Sequence, residues 1–365
     1  MENFFKKTIY LIGPLLFFLV LLYPTTLEVE AQRFLAIFVM VVFLWIVTDI
    51  PLFISGILGV SLSILIGVVS PGEAFAPFSD PIIYLFFSGF LFAKAMELTK
   101  LDERLAYKVL SIKGVQESPY KIILAFLSLS FVLSMWISNT ATIAMLLPLS
   151  QGLLKRLDEG FGINSSNFKE QFLIALAYSA TLGGNVTPIG SPPNVIAIGL
   201  LRNLVDIHLG FLEWMALALP FSLILFFFVY KRCVASLPDF KVSIEEHISE
   251  DMRPLSREQK HIMIIFGLTV FFWVTPSIFL LFLNPESPLS LFLKNNLTAP
   301  VVGLIFASLL FIFPLNSLDK LLKGYHASQV DWPSLLLFGT GLSLGTILFK
   351  TGLAKTGSTP LFRTL

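Results

Sequence analysis

Charge is scarce in this sequence, and so are the residues that usually hold metals. Only 13% of its 365 residues are charged, against about 25% in a soluble domain. The net charge of +1 gives no reason to expect nucleic acid as a partner. A single cysteine, Cys233, excludes an internal disulfide and a thiolate metal site. The four histidines (His208, His247, His261 and His326) are far apart, which speaks against zinc or haem. With no HExxH motif and no histidine cluster, a membrane-embedded enzyme lacks its chemistry. A channel would need a ring-forming charged or carbonyl filter motif, and none is read here.

Apolar surface is abundant instead. Hydrophobic residues make up 55% of the chain, and 37 residues are phenylalanine. A soluble core of this length could not hide so much, so lipid is the expected solvent. Apolar segments run at about 8–24, 34–47, 51–69, 81–98, 122–137, 141–154, 171–201 (interrupted), 211–230, 261–283, 299–315 and 333–349. A helix needs about 20 residues to cross about 30 Å of hydrocarbon, and most segments qualify. The pair 122–137 and 141–154 falls short, at about 24 and 21 Å. The expected fold is an all-α polytopic membrane protein. The N-terminal apolar run, Ile9 to Leu22, follows Lys6 and Lys7 but lacks a small-x-small cleavage site, so it reads as the first span.

Lysine and arginine fix an orientation. They crowd the linkers at 100–121, 155–169 and 231–260, whereas the loops at 24–33, 70–80, 202–210 and 284–298 carry at most one each. This alternation places the N-terminus in the cytoplasm. The charged linker 236–260 divides the chain into 1–235 and 261–365, and Ser256-x-x-Gln259 at its end reads as a capping box. Pro81-Ile-Ile-Tyr-Leu-Phe-Phe-Ser-Gly89 resembles Pro333-Ser-Leu-Leu-Leu-Phe-Gly-Thr-Gly341 at an offset of 252 residues. Five crossings separate the two stretches, so the copies enter from opposite faces. Inverted repeats of this kind mark secondary transporters, with a binding site at the repeat interface.

Two polar interruptions carry the chemistry. Ser138-Asn139-Thr140-Ala141-Thr142 lies between the two short arms of 122–154. It fits a polar turn between ordinary spans, and equally the tip of a re-entrant hairpin. In the second case the Asn139 amide oxygen and exposed carbonyls suit a cation. The Thr140 hydroxyl and helix N-terminal amides suit an anion. The second interruption, Thr181 to Asn194, packs Gly183, Gly184, Gly190, Pro188, Pro192 and Pro193 into an apolar segment spanning 171–201. No regular helix continues through it, which predicts a discontinuous helix at membrane depth.

Trp136-Ile-Ser-Asn-Thr-Ala-Thr-x-x-Met-Leu-x-Pro148, taken with Gly-Gly-x-x-Thr-Pro-Ile-Gly-Ser-Pro-Pro-Asn194, resembles the divalent anion/sodium symporter family. The resemblance covers most of the chain. It implies a carrier of dicarboxylates such as succinate or malate, or of citrate or sulfate, coupled to Na+ and working as a homodimer by an elevator-like motion. A sodium-independent exchanger of the same fold is the alternative. It also implies sodium ligands at Ser134, Ser138 (backbone carbonyl), Asn139 and a glycine carbonyl at Gly183 or Gly184. The implied substrate contacts are Asn139 and Thr140, with Thr187 and Pro188 nearby. Asn185 and Val186 stand where the family pattern suggests smaller residues. No Lys or Arg lies near either motif; Lys94, beside Glu97, reads as a snorkelling side chain. The family's second hairpin and unwound helix are expected near about 390 and about 435, beyond Leu365, so the second repeat is read as incomplete and the chain alone as inactive.

Overall fold

A computed structural model describes residues 2–101, 118–238, 254–312, 314–316 and 319–356, together with Arg104, Leu105, Lys108, Ile112 and Val115. Much of the 100–121 linker, the middle of the 236–260 linker and the tail after Thr356 lie outside the described residues. The chain is helical, apart from a short antiparallel ribbon pairing Pro314 with Lys320 and Asn316 with Asp319. It forms two compact units that interleave along the sequence. One takes residues 1–83, 195–208 and 331–365, and the other takes 84–194 and 209–330.

The helices of the first unit are α1 (Glu2–Leu22), α2 (Val29–Val47), α3 (Leu52–Leu65) and the short α4 (Pro71–Phe75). A 3-10 turn, Ala76–Ser79, then leads into α5 (Pro81–Thr99), which continues into the second unit. Ser70 opens α4 with a capping box completed by Glu73, satisfying two N–H groups that a helix start leaves unpaired. Phe34, Ile37 and Val41 on α2 are fully buried, packed with Leu344 and Ile347 of the late helix Trp332–Lys350. Lys350 pairs with Glu73 at 2.6 Å, and the Ser343 hydroxyl donates to Ala74 O at 2.7 Å. Asp80 accepts from Ile82 N at 2.9 Å and forms an ion pair with Arg202. The matched stretches at 81 and 333 both become helices of 19 residues.

The second unit holds the two interruptions. Its helices are α6 (Pro119–Ser134), α7 (Asn139–Phe161), α8 (Ser166–Gly184), the start of α9 (Pro192–Val205), α10 (Phe211–Val234) and α11 (Arg257–Leu280). Helices α12 (Pro288–Asn295) and α13 (Ala299–Ile312), bent by 67° at their junction, and the single turn α14 (Gly324–Ala327) follow. Helix α15 (Trp332–Lys350) belongs to the first unit, as does the short α16 (Leu353–Thr356).

Between helices in lipid there is no hydrophobic drive, so close packing relies on small residues. The buried face of α8 fits this, with Ala175, Ser179, Ala180, Gly183 and Gly184. Around it, Ile123, Phe126 and Leu127 of α6 meet Phe168, Phe172 and Leu176 of α8. At the start of α11, Ser256 and Gln259 form the expected capping box. Gln259 also donates to Thr99 O at 2.9 Å and accepts from Arg104 at 3.0 Å.

Among the described residues, five helices or helical runs are long and apolar enough to cross a membrane: 29–47, 71–99, 211–234, 257–280 and 332–350. The bent pair makes a sixth if counted as one span. Several apolar runs in the sequence form shorter helices, such as Leu52–Leu65 and Pro119–Ser134. Fourteen residues of α3 reach only about 21 Å at about 1.5 Å per residue.

Candidate functional site

Ser134, Asn139 and the glycine-rich break meet in the second unit. Helix α6 stops at Ser134 in a turn where Trp136 N bonds Leu133 O at 3.0 Å. Ser138 then caps α7, its hydroxyl accepting from Ala141 N at 3.2 Å. The cap places Asn139 as the first residue of α7. There the Ser134 hydroxyl donates to Asn139 Oδ1 at 2.7 Å, and Ser134 is fully buried. Thr140 follows as an exposed residue of the same first turn.

The break in the second motif is real. Helix α8 ends at Gly184 and α9 begins at Pro192, and Val186 to Ser191 between them are buried. Buried backbone without helical bonds must find other partners. Gly183 O accepts from Val186 N at 3.0 Å. Gly184 O and Thr187 O each accept from the Asn194 side-chain amide at 2.8 Å. Asn185 O accepts from the Trp214 indole N–H at 3.1 Å. Thr187, fully buried, donates its hydroxyl to Met135 O at the hairpin turn.

Glycine is needed where the two motifs touch. A Cβ on Gly184 would overlap Asn139 Oδ1, and one on Gly183 would overlap the backbone oxygen of Phe131 in α6. A Cβ on Gly190 would stand 2.5 Å from Gly184 O and 2.9 Å from Ser134 O. Oxygens of Ser134, Asn139 and Gly184 therefore gather around backbone that carries no side chain. Such an all-oxygen donor set suits a hard cation. The same face of α7 carries Thr142, three residues on from Asn139. Its buried hydroxyl is the one side-chain polar atom among the described residues that is buried without a hydrogen-bond partner.

The geometry distributes the predicted residues unevenly. Ser134, Asn139 and Gly184 come together, whereas Gly183 packs on the Phe131 backbone oxygen and its carbonyl accepts from Val186 N. Ser138 is engaged through its hydroxyl as a helix cap. Thr140 faces outward, whereas Thr187 and Pro188 are buried and the Thr187 hydroxyl is committed to Met135. Lys94 pairs with Glu97 at 3.2 Å. Among the described residues no group of three or more His, Cys, Asp or Glu is placed to hold a metal ion. Two contributors were not read from the sequence as site residues: Asn194, which the quoted motif ends on, and Trp214. For Trp214, 29 residues from Asn185, no local signal exists.

A polytopic helical protein with a capped hairpin turn against a buried, side-chain-braced helix break belongs to the class of membrane carriers. The family model described as citrate transporter matches residues 40–361, and the chain belongs to that family. It is thus a multi-pass membrane carrier of the divalent anion/sodium symporter kind, and not an enzyme. The chain is similar to the sodium-dependent dicarboxylate transporter SdcS of Staphylococcus saprophyticus, 29% identical over 363 residues, covering 94% of this chain and 68% of the relative. The same transporter from Staphylococcus aureus strain USA300 matches at 29% over the same shares. An uncharacterized transporter of Haemophilus influenzae is 31% identical over 359 residues, covering 96% of this chain and 72% of its own length.

Proposed function

We propose that the carrier built on this chain moves small divalent anions, dicarboxylates such as succinate or malate, across the cell membrane together with sodium. The observation that carries the reading is the gathering of Ser134, Asn139 and Gly184 oxygens around side-chain-free backbone at a buried break. The printed names of the Staphylococcus relatives, sodium-dependent dicarboxylate transporters, support it.

In this reading Ser134 and Asn139 offer side-chain oxygens to the cation, and Ser138 and Gly183 or Gly184 offer carbonyls. Thr140, exposed in the first turn of α7, and the free N–H groups there meet a substrate carboxylate at the positive end of the helix dipole. Thr187 and Pro188 stand behind that place. No Lys or Arg lies near either motif in the sequence, so the positive charge opposite a dianion comes from the co-transported sodium. Each cargo then favours the other, and this mutual stabilisation is the coupling. The lysine and arginine distribution supports a cytoplasmic N-terminus, and the family resemblance extends the proposal to a homodimer with elevator-like motion.

The test is thermal unfolding of the purified chain in NaCl and in KCl at equal ionic strength, with and without succinate. Sodium should raise the midpoint, and succinate should raise it further only in sodium. Asn139→Ala should abolish the response, while Lys94→Ala should keep it. Identical midpoints in the two salts would overturn the proposal. Sodium-independent dicarboxylate counterflow in liposomes would point instead to an exchanger.

A further inference from the structure

The geometry points to Asn194 as the residue that sets which alkali cation the site prefers, an inference that rests on the sodium reading above. Asn194 lies in the first turn of α9 and is 5% exposed. A side-chain amide carries two N–H donors, and both are engaged here: one meets Gly184 O and the other Thr187 O, each at 2.8 Å. Gly184 is the last residue of α8, and Thr187 O also accepts from Gly190 N at 3.3 Å, but no backbone bond joins the two carbonyls and fixes their separation. One planar NH2 group does so instead.

Both held residues reach the cation side. Gly184 O stands with Ser134 O against Gly190, and Thr187 ties its hydroxyl to Met135 O at the hairpin turn. A carbonyl has two lone pairs, so the bond from Asn194 orients Gly184 O without closing it to a cation. Discrimination between hard cations depends on cavity size and on how rigidly the oxygens are held. Asn194 contributes that rigidity without contacting the cargo, which makes it a positioning residue. A brace of no functional consequence would weaken every cation alike when removed, whereas a spacing device would change their ratio.

The deciding measurement is the apparent affinity of the purified chain for sodium, lithium and potassium, taken from unfolding midpoints titrated at constant ionic strength. Asn194→Ala should lower the sodium-to-lithium affinity ratio about tenfold, and Asn194→Ser, which keeps one donor, about threefold. Helix content by circular dichroism should be unchanged. Should the alanine variant not fold, the serine variant decides on the same criterion. Equal weakening of both cations, with the ratio unchanged, would overturn the inference and leave the sodium reading standing. A wild-type chain that responds to no cation would overturn both.

Discussion

Two of the places where the second unit interrupts an apolar helical path are built differently. Between Gly184 and Pro192 the backbone is buried, and its carbonyls are held by Asn194, Trp214 and neighbouring amides. Between Asn295 and Ala299 the path bends by 67°, but Asn295 and Asn296 are exposed and Asn296 N simply closes the preceding turn on Phe292 O at 2.9 Å. Each place is touched by one indole: Trp214 on Asn185 O and Trp273 on Ala299 O, at 3.1 and 2.9 Å. A bend in exposed backbone needs little from the rest of the molecule. A break in buried backbone recruits side chains from several helices, and the oxygens left facing inward become available for binding.

The contrast can be broken most forcefully at Gly183. Gly183→Ala drives a methyl group into the Phe131 backbone oxygen. It should cost about 1–3 kcal/mol or more, as overpacking against unyielding atoms does, seen as a lower unfolding midpoint. The control is Gly267→Ala in α11, where a Cβ meets nothing within 4 Å. There the helix should gain about 0.5–1 kcal/mol from the better helix former.

Next in size is Thr187→Val, which keeps the volume but removes the donor to Met135 O. Leaving the part-buried Met135 carbonyl without this donor costs at most about 1–3 kcal/mol, and the sodium response should weaken alongside stability. The paired indoles then sharpen the comparison. Trp214→Phe and Trp273→Phe should each cost about 0.5–1.5 kcal/mol for one lost hydrogen bond. Only the first should shift the sodium titration; a matching shift in the second would erase the distinction between the two places.

The smallest effect concerns His326, buried within the single turn α14, with Nδ1 accepting from Lys323 N at 2.9 Å. Burial, and then the nearby Lys94 and Lys323 cations, hold its pKa below the usual 6.5. The folded chain therefore favours the neutral ring. The resulting stabilisation is complete above about pH 6.5 and declines as pH falls towards and through the lowered folded value. Unfolding midpoints between pH 8 and about pH 5 should show a decline that His326→Gln flattens.

Much of this was legible locally. Three glycines and three prolines between Thr181 and Asn194 forbid a helix wherever they fall, so the break could be read without any partner. Ser256 and Gln259 announced a helix start for the same reason: a cap is a local bond. The bend at 296–298 was not read, because Ser287 and Pro288 start a short helix inside what looks like a polar loop. Helix α7 also runs on to Phe161, seven residues past the apolar run that ends at Leu154. A Lys155–Glu159 pair at 3.6 Å lies on that extension, and Gly162 ends it in a left-handed turn at φ +67°. What the sequence could not reveal was partnership at a distance. Asp80 and Arg202, 122 residues apart, or Thr187 and Met135, 52 apart, meet only once the helices are assembled.

The overlap that a Cβ at Gly183 would create has a mechanical side. With the Phe131 oxygen seated on the bare Cα of Gly183, α6 cannot slide along α8 without lifting over the flanking Leu182, so the contact works as a key in a slot. Hairpin arm and broken helix are held in one register, and any displacement of one must carry the other. Spin labels at exposed Val132 and Thr181 should therefore keep a single narrow distance whether or not sodium and dicarboxylate are added.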